Sequence, residues 1–237
     1  MSTVNWRPSS EQLNFIRLYS KAVEAGNAAI FAGAGLSRTA GFVDWKGLLK
    51  EIAEDLGLSI DKESDLVALA QYHLNTKQNR ARLNQALIEE FTKSAAQTRS
   101  HYLLARLPIH TIWTTNYDQL IERELEAAGK SVDIKLTQEN LAQTRPGRDA
   151  ILYKMHGCVT QPQDAVLTKD DYENYEKRRP LFVENLKGDL ISKTFLFLGF
   201  SFSDPNVDYV LSRIRVLLDK NQREHLLSCD GHLAQVG

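Results

Sequence analysis

Short apolar runs alternate with longer amphipathic ones along this chain, and that alternation sets out its elements. Leu13, Ile16, Leu18, Tyr19 and Val23 recur at helical spacing between Ser10 and Ala25, with Ser10 as the cap and Gly26-Asn27 as the stop. Ala28 to Ala32 follows as a short apolar run with aromatic and β-branched members, which predicts a first central strand. It breaks at once into Gly33-Ala34-Gly35-Leu36-Ser37, with Ala40-Gly41 and Asp44-Trp45 just beyond.

From Trp45 to about Leu107 no strand signal interrupts the helical stripes. Leu48, Leu49, Ile52 and Leu56 form one, Leu66, Leu69, Ala70 and Leu74 a second, and Leu83, Leu87, Ile88 and Phe91 a third. A fourth, Tyr102 to Leu107, stops at Pro108. Residues 45–107 are therefore expected to be a helical insertion in a single domain spanning 1–237. Within it, Asn75 to Arg82 carries Lys77, Arg80 and Arg82 and reads as a solvated connection.

Further strands are predicted over His110–Thr115, Val132–Leu136, Ile151–Met155, Thr194–Leu198 and Glu224–Leu227. Helices are predicted around Leu120, Ile121, Leu125 and Ala128, and from Thr168 through Tyr172 and Tyr175. A longer one carries Leu181, Phe182, Leu186, Leu190 and Ile191, and another runs from Val207 to Leu218. Thr137 to Asp149 reads as a helix remnant and loop. Ser228 to Gly237 has neither stripe nor alternation and is expected to be a frayed or truncated tail.

Strands that alternate with helices imply an α/β fold, with a mostly parallel sheet and helices on both faces. Polar signatures at Gly33–Ser37, Asn116–Asp118, His156-Gly157 and Gly199–Asp204 each fall where a strand ends. In such a sheet the ligand crevice lies outside the carboxyl ends of the strands, so all four are expected to converge on one crevice. A glycine turn on a strand end would leave bare amides for an anion, although a tight turn needing glycine only for its backbone angles fits the same residues.

Composition narrows the class. The chain has 237 residues, 43% of them hydrophobic, and a formal net charge of -1. That balance suggests no polyanion or membrane partner. Two cysteines, Cys158 and Cys229, are too few for a four-cysteine zinc site and suit a reducing cytoplasm. No apolar run approaches the roughly 20 residues that span a bilayer. A cytoplasmic location is expected.

Taken together, Gly33-Ala34-Gly35-x-Ser37, Asp44-Trp45, Thr115-Asn116-x-Asp118-x-Leu120, His156-Gly157 and Gly199-x-Ser201 with Asp204-Pro205 resemble the sirtuin superfamily. The resemblance is closer to its bacterial sirtuin-like branch in antiphage defence, and it covers about Ala28 to Leu218. It implies a Rossmann-like sheet and NAD+ as substrate, with no metal. Gly33, Ala34, Gly35 and Ser37 would hold the pyrophosphate, and Gly199, Ser201 and Asp204 would face the adenosine half. Asn116 and Asp118 would lie under the nicotinamide ribose. Breaking the nicotinamide–ribose bond builds positive charge on the ribose carbon, which a carboxylate at Asp118 or Asp44 would favour. His156, with an ordinary pKa of about 6.5, suits proton removal from a ribose hydroxyl or the attacking water.

The zinc-holding cysteine pairs of protein-deacylating sirtuins are missing, and this favours an NAD+ glycohydrolase over a deacylase. The resemblance further implies a homo-oligomer, with a HerA-type ATPase or a short Argonaute-like protein as partner and no direct nucleic-acid binding. Two other readings stay open. One is a protein deacylase or ADP-ribosyl transferase using the same pocket, and the other is a catalytically silent NAD-binding regulatory module. At the level of single residues, Ser37 could equally cap the following helix, Asn116 and Asp118 could cap a helix near Tyr117, and His156 could be a core histidine. Cys158, Tyr172 and Tyr175 read as packing residues.

Overall fold

The computed structural model describes residues 8–200, 207–208, 211–212, 225–229 and 232–236. Its strands are β1 (Ala28–Ala32), β2 (Thr111–Thr114), β3 (Val132–Lys135), β4 (Ala150–Lys154), β5 (Thr194–Leu198), β6 (His225–Cys229) and β7 (His232–Val236). They form one sheet in the order β3-β4-β2-β1-β5-β6-β7. The first six run parallel, and β7 pairs antiparallel with β6. From β1 the chain goes to β2, on to β3 at the sheet edge and back to β4 between them, and then crosses to β5 on the other side of β1. The β1/β5 edge is therefore the switch point at which an open α/β sheet forms its crevice.

Alternation along the buried strands feeds two cores. Ala28, Ile30 and Ala32 face a layer with Ile112, Leu152, Leu196, Tyr19 and Leu104. Ala29 and Phe31 face the other, with Trp113, Phe195, Phe197, Phe182 and Leu186. Helix α1 (Ser10–Glu24) covers the first side together with α7 (Arg99–Arg106) and α8 (Leu120–Ala127), while α12 (Pro180–Ser192) covers the second. The cap of α1 is Ser9, not Ser10, because Gln12 lies three residues on and completes a capping box with it. The α1 stripe also divides. Tyr19 is buried, but Leu13 and Ile16 stay exposed, as do Leu181 and Ile191 on α12.

Between β1 and β2 the chain forms α2 (Ala34–Arg38), α3 (Trp45–Leu48), α4 (Lys50–Glu54), α5 (Leu66–Lys77), α6 (Ala81–Phe91) and α7. Leu48, Leu49, Ile52, Leu69, Leu83 and Leu87 make a third core that also takes in Tyr117, Cys158, Val159 and Leu167. The helical segment thus packs on the loops that leave β2 and β4. Arg80 is not a solvated residue. It is half-buried and reaches Asp171 at 2.8 Å and the Ala165 carbonyl, tying the start of α6 to the short helix α10 (Lys169–Glu173). Helix α9 (Gln138–Ala142) is the remnant expected after β3, and α11 (Tyr175–Arg178) precedes α12.

Ser228 to Gly237 is not the unstructured tail expected from its lack of pattern, because it contains β7, which closes the sheet edge. Only 207–208 and 211–212 of the helix expected over Val207–Leu218 fall within the described residues, and they are helical.

Candidate active site

Four residues in register make a row across the sheet: Lys154 of β4, Thr114 of β2, Ala32 of β1 and Leu198 of β5. Gly33 and Gly199 lie one residue beyond this row, and Asn116 and His156 lie two beyond it. The strand ends therefore bring four of the sequence signatures to one edge. Ser201 and Asp204 lie outside the described residues.

The glycines at β1 and β5 are explained by each other. The Gly33 amide donates to the Leu198 carbonyl at 2.9 Å, and the Gly35 amide to the Gly199 carbonyl at 2.8 Å. A Cβ on Gly33 would stand 2.5 Å from the Gly199 carbonyl oxygen, and one on Gly35 would stand 2.8 Å from it. Gly199 itself has a φ of +61, and its Cβ would meet the Leu36 nitrogen at 2.4 Å. The expectation of bare amides at Gly33 and Gly35 is thus corrected. Two backbones cross here, and their peptide groups satisfy one another. The Ala34 amide, at the first position of α2, makes no such bond among the described residues.

Beside this crossing sits a buried polar network. The Asn116 side-chain amide donates to the Gly33 carbonyl at 2.9 Å and to the Ser37 hydroxyl at 2.8 Å. A carbonyl only accepts, so the Asn116 nitrogen must face Gly33. The Ser37 hydroxyl donates to Asp118 Oδ2 at 2.6 Å, and Asp118 Oδ1 accepts from the Leu120 amide at 2.9 Å. Asp118 therefore starts α8 as well as closing the network, and Ser37 caps nothing. The Asn116 amide nitrogen of the main chain is held by Thr114 Oγ1 at 3.0 Å, and that hydroxyl donates to the Ala32 carbonyl. One atom is left over: Asn116 Oδ1 is buried and has no hydrogen-bond partner among the described residues.

His156 follows β4 in a tight turn in which Gly157, at φ +92, places its amide 3.1 Å from the Lys154 carbonyl. The imidazole is buried, with the ring centres of Tyr172 at 5.3 Å and Tyr175 at 5.9 Å in edge-to-face contact. Tyr175 donates to the Met155 carbonyl at 2.8 Å, and Tyr172 reaches back to Trp45 at the start of α3. These two tyrosines pack, as expected, but they pack on the histidine, which tyrosine spacing alone does not reveal.

Asp44 stands apart from the network. It is exposed and caps α3, accepting from the Gly47 amide at 2.9 Å. Its neighbour Val43 is pinned by buried Glu90, which accepts the Val43 amide at 2.7 Å. Cys158 is a buried thiol.

Two further residues escape a reading by motif. Lys154 is buried, its ammonium donating to Glu122 at 2.6 Å and to the Asp118 main-chain carbonyl. Burial alone would lower its pKa, but the Glu122 and Asp118 carboxylates outweigh that and hold the ammonium above the ordinary lysine range. Among the described residues no group of three or more His, Cys, Asp or Glu side chains is placed to hold a metal ion. No helix among them is long and apolar enough to cross a membrane.

Comparison with known proteins gives the chain its relatives. A family model described as a SIR2-like domain matches residues 110–233. The chain is 54% identical over 212 residues to a protein of Bacillus cereus named NAD(+) hydrolase ThsA, covering 89% of this chain and 44% of that protein. A protein of the same name from Acinetobacter baumannii is 54% identical over 215 residues, covering 91% and 45%. A Bacillus subtilis protein named Defense-associated sirtuin 2 is 28% identical over 211 residues, covering 85% and 20%. The chain spans less than half the length of these relatives.

Proposed function

Because the chain belongs to the SIR2-like family, whose model spans more than half of it, we propose that it is an NAD+ glycohydrolase acting in bacterial antiphage defence. Water and NAD+ would give nicotinamide, ADP-ribose and a proton. The observation that carries this reading is the orphaned Asn116 Oδ1. A buried acceptor without a partner costs roughly 1–3 kcal/mol, so it is kept where a ligand hydroxyl or a water can use it. Relatives named as NAD(+) hydrolases over the same stretch support the substrate.

The roles follow from the chemistry of each group. Asn116 accepts from the attacking water or a ribose hydroxyl without adding charge. Asp118, buried and held by Ser37 and Leu120, offers its negative field to the positive charge that develops on the ribose carbon. His156, two residues beyond the neighbouring strand, takes the proton. The turn around Ala34, together with Ser37 and Gly199, and with Asp44, Ser201 and Asp204 completing the set, forms the proposed nucleotide contact. The whole of 1–237 is one domain in this proposal, with 45–107 as its insertion. A homo-oligomer and a HerA-type ATPase or short Argonaute-like partner belong to the same proposal and rest on the resemblance; a cytoplasmic location belongs to it too and rests on the two cysteines and the lack of a membrane-length apolar run.

Nicotinamide and ADP-ribose release from NAD+ tests it, with the protein alone and with its genomic neighbours. Turnover should vanish in Asn116→Ala and His156→Ala while circular dichroism stays that of the parent. Undiminished turnover in both variants overturns the site. Turnover that requires an acetyl-lysine peptide would replace hydrolysis with deacylation.

A further inference from the structure

A lysine is almost never fully buried unless it is paired, and a buried pair is weak evidence for stability, since two apolar side chains often serve as well. Lys154 is 1% exposed and sits two residues before His156. Its ammonium crosses to the neighbouring strand's loop, where it donates to the Asp118 main-chain carbonyl and to Glu122 on α8. Asp118 in turn is two residues beyond Asn116. We infer that Lys154 is a positioning residue, tying the turn that carries His156 to the turn that carries Asn116. The inference rests on the reading of this edge as an NAD+-cleaving site.

Both ends of the side chain are fixed at the right places for that task. On its own strand, the Lys154 carbonyl accepts from the Gly157 amide at 3.1 Å and so opens the turn around His156. Two backbone bonds hold the strand ends together on either side, Met155 to Thr114 at 3.1 Å and Val159 to Tyr117 at 2.9 Å. Neither reaches Asp118, a buried residue whose carbonyl has no other partner among the described residues and would be left unpaired without the ammonium. Such a group drives a local shift, and Asp118 holds the Ser37 hydroxyl that receives Asn116.

Glu122 has a separate part. A bare ammonium near a ribose carbon that turns positive would oppose the reaction. The Glu122 carboxylate, at 2.6 Å, cancels that charge and leaves the field of Asp118 in force.

The test compares Lys154→Met with Lys154→Met/Glu122→Leu, in which both charges are removed together. Four quantities are measured: thermal midpoint, kcat, KM for NAD+, and hydrogen exchange of the Leu120 amide, which reports the Asp118 turn. A misplacement on the order of 1 Å can cost about 100-fold, so Lys154→Met should lower kcat by about that factor with KM within about threefold of the parent. The double variant should regain part of the midpoint but not kcat, and the Leu120 amide should exchange faster in both. If the double variant recovers kcat along with its midpoint, or if the loss lies in KM, the lysine is structural only and the inference fails. If the parent releases no nicotinamide under any condition, the hydrolase reading fails. The Leu120 exchange then still decides the tie: unchanged protection in both variants overturns it.

Discussion

The Asn116 side-chain amide donates to the Ser37 hydroxyl at 2.8 Å, joining residues 79 positions apart in the chain. Ser37 is the hinge of the network, since the same hydroxyl donates a hydrogen bond to Asp118. Ser37→Ala removes one acceptor and one donor at a buried place and leaves Asp118 Oδ2 short of a partner. A cost of about 1–3 kcal/mol is expected in denaturant unfolding. Nicotinamide release should fall at least about tenfold, since the group lost also orients the reacting amide. An unaltered rate with a lowered midpoint would confine Ser37 to stability.

Asn116→Asp keeps the size of the side chain and reverses its hydrogen bonding. The Gly33 carbonyl would then face an oxygen instead of an N–H, unless the introduced carboxyl is protonated. Burial against a carbonyl raises the pKa of that carboxyl. Its folded form therefore holds a proton that the unfolded chain has released, and the variant should lose stability as pH rises above about 4. The expected outcome is a variant without turnover at pH 7 whose midpoint, relative to the parent, improves toward pH 4. A pH-independent difference from the parent would mean that the carboxyl stays ionised.

The crossing of the two glycine turns makes a sharp contrast with a glycine elsewhere. Gly199 is at φ +61, and the Leu36 nitrogen lies 2.4 Å from where an added methyl group would stand, whereas Gly129 is at φ +76 with open space around it. Gly129→Ala carries only the left-handed strain, about 1–2 kcal/mol. Gly199→Ala adds a backbone collision that no rotamer relieves, so it should separate β1 from β5 and unfold at a much lower midpoint. Equal midpoints for the two variants would contradict the crossing.

Much of this site is legible in the amino-acid order alone. Apolar runs ending in glycine or in Asn-x-Asp mark the strand ends, because a strand buried on both faces leaves little room for polar residues until it stops. Lys154 and Glu122 are not legible: a charged residue in a sequence pattern reads as solvated, and only the packing of α8 on β4 shows the two charges meeting. Arg80 escapes for the same reason. The strand β7 is hidden because an edge strand of five residues carries too little pattern to stand out. The glycines are found but partly for the wrong reason, since a crossing backbone and an anion ask for the same residue.

Arg80 gives a test of how the helical segment supports the histidine. It grips Asp171 and the Ala165 carbonyl, and α10 then presents Tyr172 to the imidazole. Burial would raise the Asp171 pKa, but the Thr168 amide and the Arg80 charge outweigh it and hold the carboxyl below its usual range. Arg80→Lys loses the fork that reaches both acceptors, so it should behave nearly as badly as Arg80→Ala. Both should expose the 165–178 stretch to limited proteolysis before the sheet is cut. A protected stretch in Arg80→Ala would show that core packing alone holds α10.

Two buried histidines should weaken the fold in mild acid. Burial lowers the pKa of His73, opposed by the Asp55 carboxylate 3.5 Å away, and it lowers that of His101, opposed by the Asp118 and Glu124 charges. His101 meets Thr98 Oγ1 at 2.7 Å, so its neutral ring is already engaged. In the folded state both rings hold their protons less firmly than in the unfolded chain, where the pKa is about 6.5. Between the folded and unfolded values the unfolded chain binds more protons. The stability the neutral rings contribute is thus full above about pH 6.5 and is lost as pH falls through the folded values, by up to about 1.4 kcal/mol per pH unit for each ring. The thermal midpoint should be flat from pH 8 to 7 and should decline below about 6.5. His73→Leu should flatten part of that decline, because an apolar side chain at this buried position of α5 has no proton to take up. A parent midpoint that holds from pH 7 to 5 would remove these imidazoles from the acid response.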